Sequence, residues 1–203
     1  MIDMLRFETE LLHSGYRYIA GTDEAGRGPL AGPVVAAAVI LHPGQTIAGV
    51  NDSKKISERQ RETLFPTIMA EAYAVAVGIC DHDEIDRLNI LRASLEAMRR
   101  AITSLPVSPD FILIDGTFKV ALELPQRTII KGDSLSTSIA AASIIAKVTR
   151  DRLMVEYDAL YPGYGFAGHK GYPSAAHREA VARLGPCPIH RKSFKGVKEQ
   201  VKG

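Results

Sequence analysis

Three carboxyl-bearing stretches hold the residues of this chain best equipped for chemistry. They are Asp23-Glu24 running into Gly26-Arg27-Gly28, Asp115 after the apolar run Phe111 to Ile114, and Asp133 at the head of a helix rich in small residues. Each acid ends a strand-like run or precedes a helix, so folding can bring all of them to one edge of a sheet. Carboxylates from several chain segments suit two divalent cations, because Mg²⁺ keeps waters and substrate oxygens and takes few protein carboxylates per ion. A pair of such ions is the equipment of phosphodiester chemistry. Singly, each acid also has an ordinary use: Asp23-Glu24 as a solvated pair, Asp115-Gly116 as a turn, Asp133-Ser134 as a helix N-cap. Adjacent Asp23 and Glu24 point to opposite faces of a regular strand, so sharing one cluster calls for a local twist or bulge.

The elements that must position these acids follow from periodicity. Tyr16 to Thr22 and Gly32 to Leu41 are expected strands, joined hairpin-style through a Gly/Pro turn. Ser57 with Gln60 forms a capping box opening a helix that Pro66 should kink or divide, and Ala72 to Ile79 resumes as strand. Ile85, Leu88, Leu91, Leu95, Met98 and Ile102 predict one amphipathic helix, with Asp81, Asp83 and Glu84 as cap and dipole partners at its entry. Phe111 to Ile114 and Arg127 to Ile130 are two further short strands. Ser134 to about Leu160 is a long helix, followed by a Gly/Pro/aromatic loop and a short helix from about Ser174 to Leu184. The sum is an α/β layered domain with a five-stranded mixed sheet flanked by helices. Residues 1–160 form the expected catalytic domain, and 161–203 a helical segment packed on it that contributes to substrate binding. In open sheets of this kind ligands gather beyond strand ends, where Asp23 and Asp115 would sit.

Composition narrows the classes. The 203 residues with 46% hydrophobic content suit one folded domain. The first ten residues carry Asp3, Arg6, Glu8 and Glu10 instead of an apolar leader, and no apolar run reaches membrane-spanning length, so a soluble cytoplasmic protein is expected. Cys80 and Cys187 sit in unrelated contexts and are expected as reduced thiols. From Lys147 onward there are 11 Lys/Arg against 5 Asp/Glu, a net +6, which leaves −4 for residues 1–146 of the overall +2. An acidic part able to hold cations and a basic part able to hold phosphate is one meaning of that asymmetry; a solvated basic surface is the other.

Two tempting motifs fail on context. Gly26 to Ala31 fits the loose pattern G-x-G-x-x-A, but a dinucleotide fold needs a helix to open at the glycines, whereas Val34 to Leu41 is strand-like. There is no Gly-Lys-Ser/Thr for a P-loop. Close approach of backbone amides to a sugar or phosphate is the better use of these glycines, with Arg27 adding charge. His169, His177, His190 and Cys187 have spacings that match no compact zinc site.

Six stretches together resemble bacterial ribonuclease HII, the type 2 ribonuclease H: GTDEAGRGPLAGPVVAAAVIL, NDSKKIS, LIDG, KGDSLSTSIAAASIIAKVTRDRLM, HKGYPSAAH and GPCPIHRKSF. They stand in the right order and span about Tyr18 to Phe194. The resemblance implies a ribonuclease H-like sheet with a small C-terminal helical part. It also implies cleavage, dependent on Mg²⁺ or Mn²⁺ with two ions when substrate is bound, of RNA in RNA–DNA hybrids and at single ribonucleotides in duplex DNA.

Carried over by position, the resemblance puts the four catalytic and metal-holding acids at Asp23, Glu24, Asp115 and Asp133. It makes Gly26, Arg27 and Gly28 the turn that reads the 2′-hydroxyl, and Tyr172 the aromatic that stacks on the following deoxyribose. Pro173-Ser174 depart from the Gly-Thr common in the family, which bears on how Tyr172 approaches the sugar. Lys54, Ser136, Lys147, Lys170 and Arg191 are expected phosphate partners by charge and motif membership, with surface or capping roles as the alternative. A junction resolvase-like metal nuclease and a non-catalytic hybrid-binding protein remain the rivals. A monomer is expected, and Lys195 to Gly203 shows no docking peptide for a replication clamp.

Overall fold

A computed structural model describes residues 3–50 and 56–201. Strands β1 (Ile19–Ala25), β2 (Val34–Ile40), β3 (Ala74–Cys80), β4 (Phe111–Asp115) and β5 (Gln126–Ile129) form one sheet in the order β3-β2-β1-β4-β5. The first three are antiparallel neighbours; β4 runs parallel to β1, and β5 to β4. Helices α1 (Arg6–His13), α2 (Glu58–Glu71), α3 (His82–Leu88), α4 (Ile90–Thr103), α5 (Thr137–Leu160), α6 (Phe166–His169) and α7 (Ala175–Leu184) surround it. The five-stranded mixed sheet with flanking helices is therefore as expected. No helix among the described residues is long and apolar enough to cross a membrane.

The buried VVAAAVI of β2 explains the layering. Its Ala36 and Ala38 face a core with Met98 and Ile102 of α4, while Ala37 and Val39 face Ile144 and Ile145 of α5 and Ile68 of α2. Small residues on both faces let helices come close to the sheet. One such close approach is at Gly21 of β1, where a Cβ would collide with the α5 backbone at Ser138 and Ile139. That contact presses the start of α5 against β1 two residues before Asp23.

Three local expectations change. Pro66 does not divide α2, because Leu64, Phe65 and Ile68 seat the helix on the core and packing outweighs the lost backbone bond at the exposed proline. The single helix expected across Ile85 to Ile102 is two: Asn89 takes φ 70°, ends α3 and caps α4 by accepting the Arg92 amide. The long helix begins at Thr137 rather than Ser134, after a 3₁₀ turn over Gly132–Ser134. The capping boxes of Ser57 with Gln60 and Asp81 with Glu84 both form.

The N-terminal helix α1, unassigned from periodicity, clamps the start of α5. Glu8 accepts the Ser136 hydroxyl at 2.6 Å, the Ser138 hydroxyl at 2.7 Å and the Ser138 amide at 3.0 Å. A carboxylate there also meets the positive end of the helix. At the far side, residues after α5 build a second small core from Tyr164, Phe166, Val181 and Ile189 around Ala31 and Met154. The Leu30 amide bonds Gly171, the Gly32 amide bonds Ile189, and the Arg191 amide bonds Leu30, so the β1–β2 connection is built into this C-terminal segment.

Candidate active site

β1 stays regular through Glu24, paired residue for residue with β2, and no bulge appears. Asp23 shares the face of Ala37, toward α5, and Glu24 the face of Ala36, toward α4. Proximity at the strand end is enough to couple them. Asp23 is 3% exposed, and its proton affinity is pushed well up, first by burial and then by the neighbouring charges of Glu24 and Asp115; hydrogen bonds from Ser143 and the Glu24 amide oppose the shift. The amide bond is 2.7 Å. The expectation of a twist or bulge is thus replaced by a simpler arrangement in which two parallel neighbours, β1 and β4, end side by side.

Asp115 closes β4 and accepts the Gly132 amide at 2.6 Å, which ties it to the 3₁₀ turn carrying Asp133. Asp133 is buried, and it sits inside this turn instead of capping α5; Ser136 is the cap. A cavity of about 360 Å³ is lined by Glu24, Gly26, Arg27, Gly28, Arg61, Asp115, Ser143, Lys147 and Tyr172, with Ala25. Among the described residues, Asp23 and Asp133 lie outside its lining.

Two buried guanidiniums shape the turn. Arg191 donates to the carbonyl oxygens of Gly26 (2.6 Å), Arg27 (3.1 Å), Pro29 (2.8 Å), Gly32 (3.0 Å) and Pro33 (3.2 Å). Arg150 donates to Pro33 (2.9 Å), Ala31 (3.2 Å) and Lys170 (3.0 Å). Burial pulls Arg150 down to about 10 and Arg191 to about 9, both still cationic at neutral pH. Gly26 adopts φ +101°, and a Cβ there would run into the Arg150 side chain. Gly28 differs: a Cβ there would make only an ordinary contact with the Tyr172 ring, at 3.5 Å.

The expected phosphate partners separate sharply. Lys147 lines the cavity, pairs with Asp151 at 2.7 Å and lies 5.7 Å from the centre of the Tyr172 ring. Arg27 is half exposed and pairs with Glu24 at 3.3 Å. Arg191 has every donor committed to carbonyls and is fully buried, so the phosphate role expected for it is replaced by a structural one. Ser136 is likewise buried as the α5 cap, with its hydroxyl on Glu8, and cannot meet phosphate. Lys170 turns its Nζ to the Ala167 carbonyl at 2.5 Å and to Glu58 at 3.6 Å. Lys54 lies outside the described residues. Arg61 and Ser143, not singled out in the sequence, join the site; Ser143 had no signal beyond its place nearly two turns along α5.

Among the described residues, no three His, Cys, Asp or Glu side chains stand together closely enough to hold a metal unaided. The donor set nevertheless fits a hard divalent cation. Burial and the charges of Glu24 and Asp115 at two adjacent strand ends raise the proton affinity of Asp23, and a cation would relieve that repulsion.

A mixed β3-β2-β1-β4-β5 sheet with carboxylates at the ends of its central strands defines a hydrolase of the ribonuclease H-like class. The family model described as ribonuclease HII matches residues 20–197. The ribonuclease HII of Geobacter sp. (strain M21) is 64% identical over 98% of this chain and 87% of its own, and that of Geotalea uraniireducens (strain Rf4) is 61% identical over 98% and 92%. The crystal structure of ribonuclease H2 from Pyrococcus horikoshii OT3 superposes with a TM-score of 0.76 at 29% identity, over 89% of this chain and 95% of the other. The chain belongs to the ribonuclease HII family and is an endoribonuclease.

Proposed function

We propose that this endoribonuclease hydrolyses the RNA strand of RNA–DNA hybrids and cuts on the 5′ side of a single ribonucleotide embedded in duplex DNA, leaving 3′-hydroxyl and 5′-phosphate ends. The observation that carries the reading is one cavity uniting Glu24 and Asp115 with the Gly26-Arg27-Gly28 turn, Lys147 and Tyr172. Asp23, Glu24, Asp115 and Asp133 are the residues that would hold Mg²⁺ or Mn²⁺. Two such ions, bound together with substrate, supply an activated water and charge neutralisation at the leaving 3′-oxygen.

The chain's own residues then divide the recognition. The turn's Gly26 and Arg27 carbonyls are engaged inward by Arg191, so the backbone there is held beside the acids. A preorganised turn of this kind can test for a 2′-hydroxyl, the one group that separates RNA from DNA at a single position. The half-exposed Tyr172 ring supplies a platform for the next sugar, and Lys147 and Arg27 supply charge to the flanking phosphates. Residues 161–203 contribute Tyr172 and so share in binding.

The test is an end-labelled DNA duplex with one ribonucleotide, incubated with Mg²⁺, Mn²⁺ or chelator beside an all-DNA duplex and a four-way junction. A single cation-dependent cut 5′ to the ribonucleotide is expected, and Asp133→Asn should remove most of it while leaving fold and duplex binding nearly intact. Cutting of the branched all-DNA substrate, or binding without cutting, would overturn the reading.

A further inference from the structure

Behind Tyr172 lies a buried chain of imidazoles that the proposed chemistry does not use. The Cys187 amide donates to His190 Nδ1 at 3.0 Å. His190 Nε2 lies 3.0 Å from His177 Nε2, and His177 Nδ1 lies 2.9 Å from the Tyr172 carbonyl. Beside them the Gly171 amide donates to His169 Nδ1 at 3.1 Å, and His169 Nε2 bonds the Tyr164 carbonyl at 2.7 Å. His169 stacks on His177 with ring centres 4.4 Å apart.

The partners dictate the tautomers. A carbonyl can only accept, so His177 carries its proton on Nδ1 and His169 on Nε2. His190 Nδ1 faces both the Cys187 amide, at 3.0 Å, and the Cys187 carbonyl, at 3.3 Å, and the shorter contact makes it an acceptor. The one remaining proton, between the two facing Nε2 atoms, therefore belongs to His190. The result is a directed relay of neutral rings running from the Cys187 amide through His190 and His177 to the Tyr172 carbonyl. Adding a proton at His177 Nε2 would set two N–H groups against each other and break it.

Other bonds fix the same segment. The Lys170 carbonyl is held by Arg150, the Gly171 carbonyl by the Leu30 amide, and the Tyr172 carbonyl by the Ser174 amide together with His177. Every carbonyl from Lys170 to Tyr172 is thus engaged, and His177 bonds the backbone of both Gly171 and Tyr172. The Tyr172 ring meanwhile stays 42% exposed over the cavity.

We propose that His177, oriented by His190, is a positioning residue for Tyr172 and through it sets how well the enzyme uses a substrate with a single ribonucleotide in DNA. The inference rests on Tyr172 meeting the deoxyribose as proposed above. The groups facing His177 and His190 are His169 from α6, Tyr164, and Cys187 on the closing loop, with His82 of α3 farther off. No carboxylate is among those that shift either ring, and burial holds both neutral, His190 at about 4.

The experiment compares His177→Phe, which keeps a ring but removes the donor, with His177→Asn, whose amide can replace the Nδ1 donor, each with Tyr172 intact and in a Tyr172→Ala background. With Tyr172 intact, His177→Phe should lower kcat/KM on the single-ribonucleotide duplex about tenfold and His177→Asn no more than about twofold, while in the Tyr172→Ala background both should be nearly silent. Wild type should lose activity on this duplex below the pH at which His177 protonates, and His177→Asn should not. An undiminished His177→Phe effect in the Tyr172→Ala background, or an unchanged acid limb in His177→Asn, overturns the proposal. Failure of wild type to cut the duplex would instead sink the functional reading. Amide exchange over Gly171 to Ser174 would then judge the relay alone: faster in His177→Phe than in His177→Asn supports it, equal rates overturn it.

Discussion

Beneath the glycine turn and at the strand ends beside it, the protein buries charge in opposite ways. Under the turn, Arg150 and Arg191 are fully enclosed, yet each guanidinium meets three to five carbonyl oxygens, so positive charge is buried with its partners already in place. At the ends of β1 and β4, Asp23 is just as enclosed, but its charged neighbours are Glu24 and Asp115, and like charges drive it toward the protonated form. The first region is complete within the fold. In the second, like charges crowd Asp23, and under the proposed function a divalent cation would relieve that repulsion, so a buried charge is read as functional only when its partners are counted too.

The largest effect that would test this contrast is at Asp23. Asp23→Asn should lower cleavage by on the order of a thousandfold if Asp23 holds a cation as proposed. The metal-free protein should meanwhile melt a few degrees higher, because a frustrated charge has gone. Activity and thermal melts with chelator check both; a lower melting temperature would mean that Asp23 is as well satisfied as the arginines. Next comes Arg191→Lys, expected to destabilise by about 3 kcal/mol, since an ammonium cannot reach five carbonyls and leaves several buried without donors. Denaturant unfolding measures this, and a nearly silent substitution would restore the phosphate role that the burial removes.

The C-terminal imidazoles and the strand ends predict opposite pH responses in the metal-free protein. His190 has an ordinary value of 6.5 and sits at about 4 when folded. The unfolded chain therefore gains a proton first, and stability falls as pH drops from about 6.5 toward 4. Asp23 is raised above its ordinary 3.8. There the unfolded chain loses its proton first, so stability falls as pH rises from about 3.8 through the folded value. Stability curves against pH should show both limbs, with His190→Gln flattening the first and Asp23→Asn the second. An Asp23→Asn curve identical to wild type would remove the frustration argument.

How much of this was legible in the sequence follows the same line. The sheet was, because β2 is apolar on both faces and the strands are bounded by glycine, proline and polar turns. The split at Asn89 and the intact α2 were not: one depends on a side chain tolerating positive φ, the other on packing that overrides a proline. Glu24 and Asp115 line one cavity because they end neighbouring parallel strands; in the sequence each had an ordinary use as well, and only their joint occurrence and the family resemblance singled them out. The roles of Arg191 and Ser136 were misjudged because residue type reveals charge or a hydroxyl but not the direction of its donors; Arg191 finds its acceptors more than 150 positions away. The spacing of the histidines matches no compact zinc site, and spacing could not show that the fold gathers them into a relay.

The smallest expected effect concerns the other arginine of the turn. Arg27 and Arg191 serve the same loop, but Arg27 is half exposed and its partner Glu24 is one of the acids expected to engage a cation. A surface pair of this kind adds little to stability, so Arg27→Ala should change unfolding by less than about 0.5 kcal/mol. If Arg27 serves substrate phosphate, duplex affinity should fall for hybrid and ribonucleotide-containing substrates alike, and the dependence of log affinity on log salt should flatten by about one unit. Binding titrations at several salt concentrations in chelator separate this from catalysis. An unaltered slope would leave Arg27 as a partner of Glu24 alone, and the exposed cation would then belong with the buried ones as a device for arranging the site.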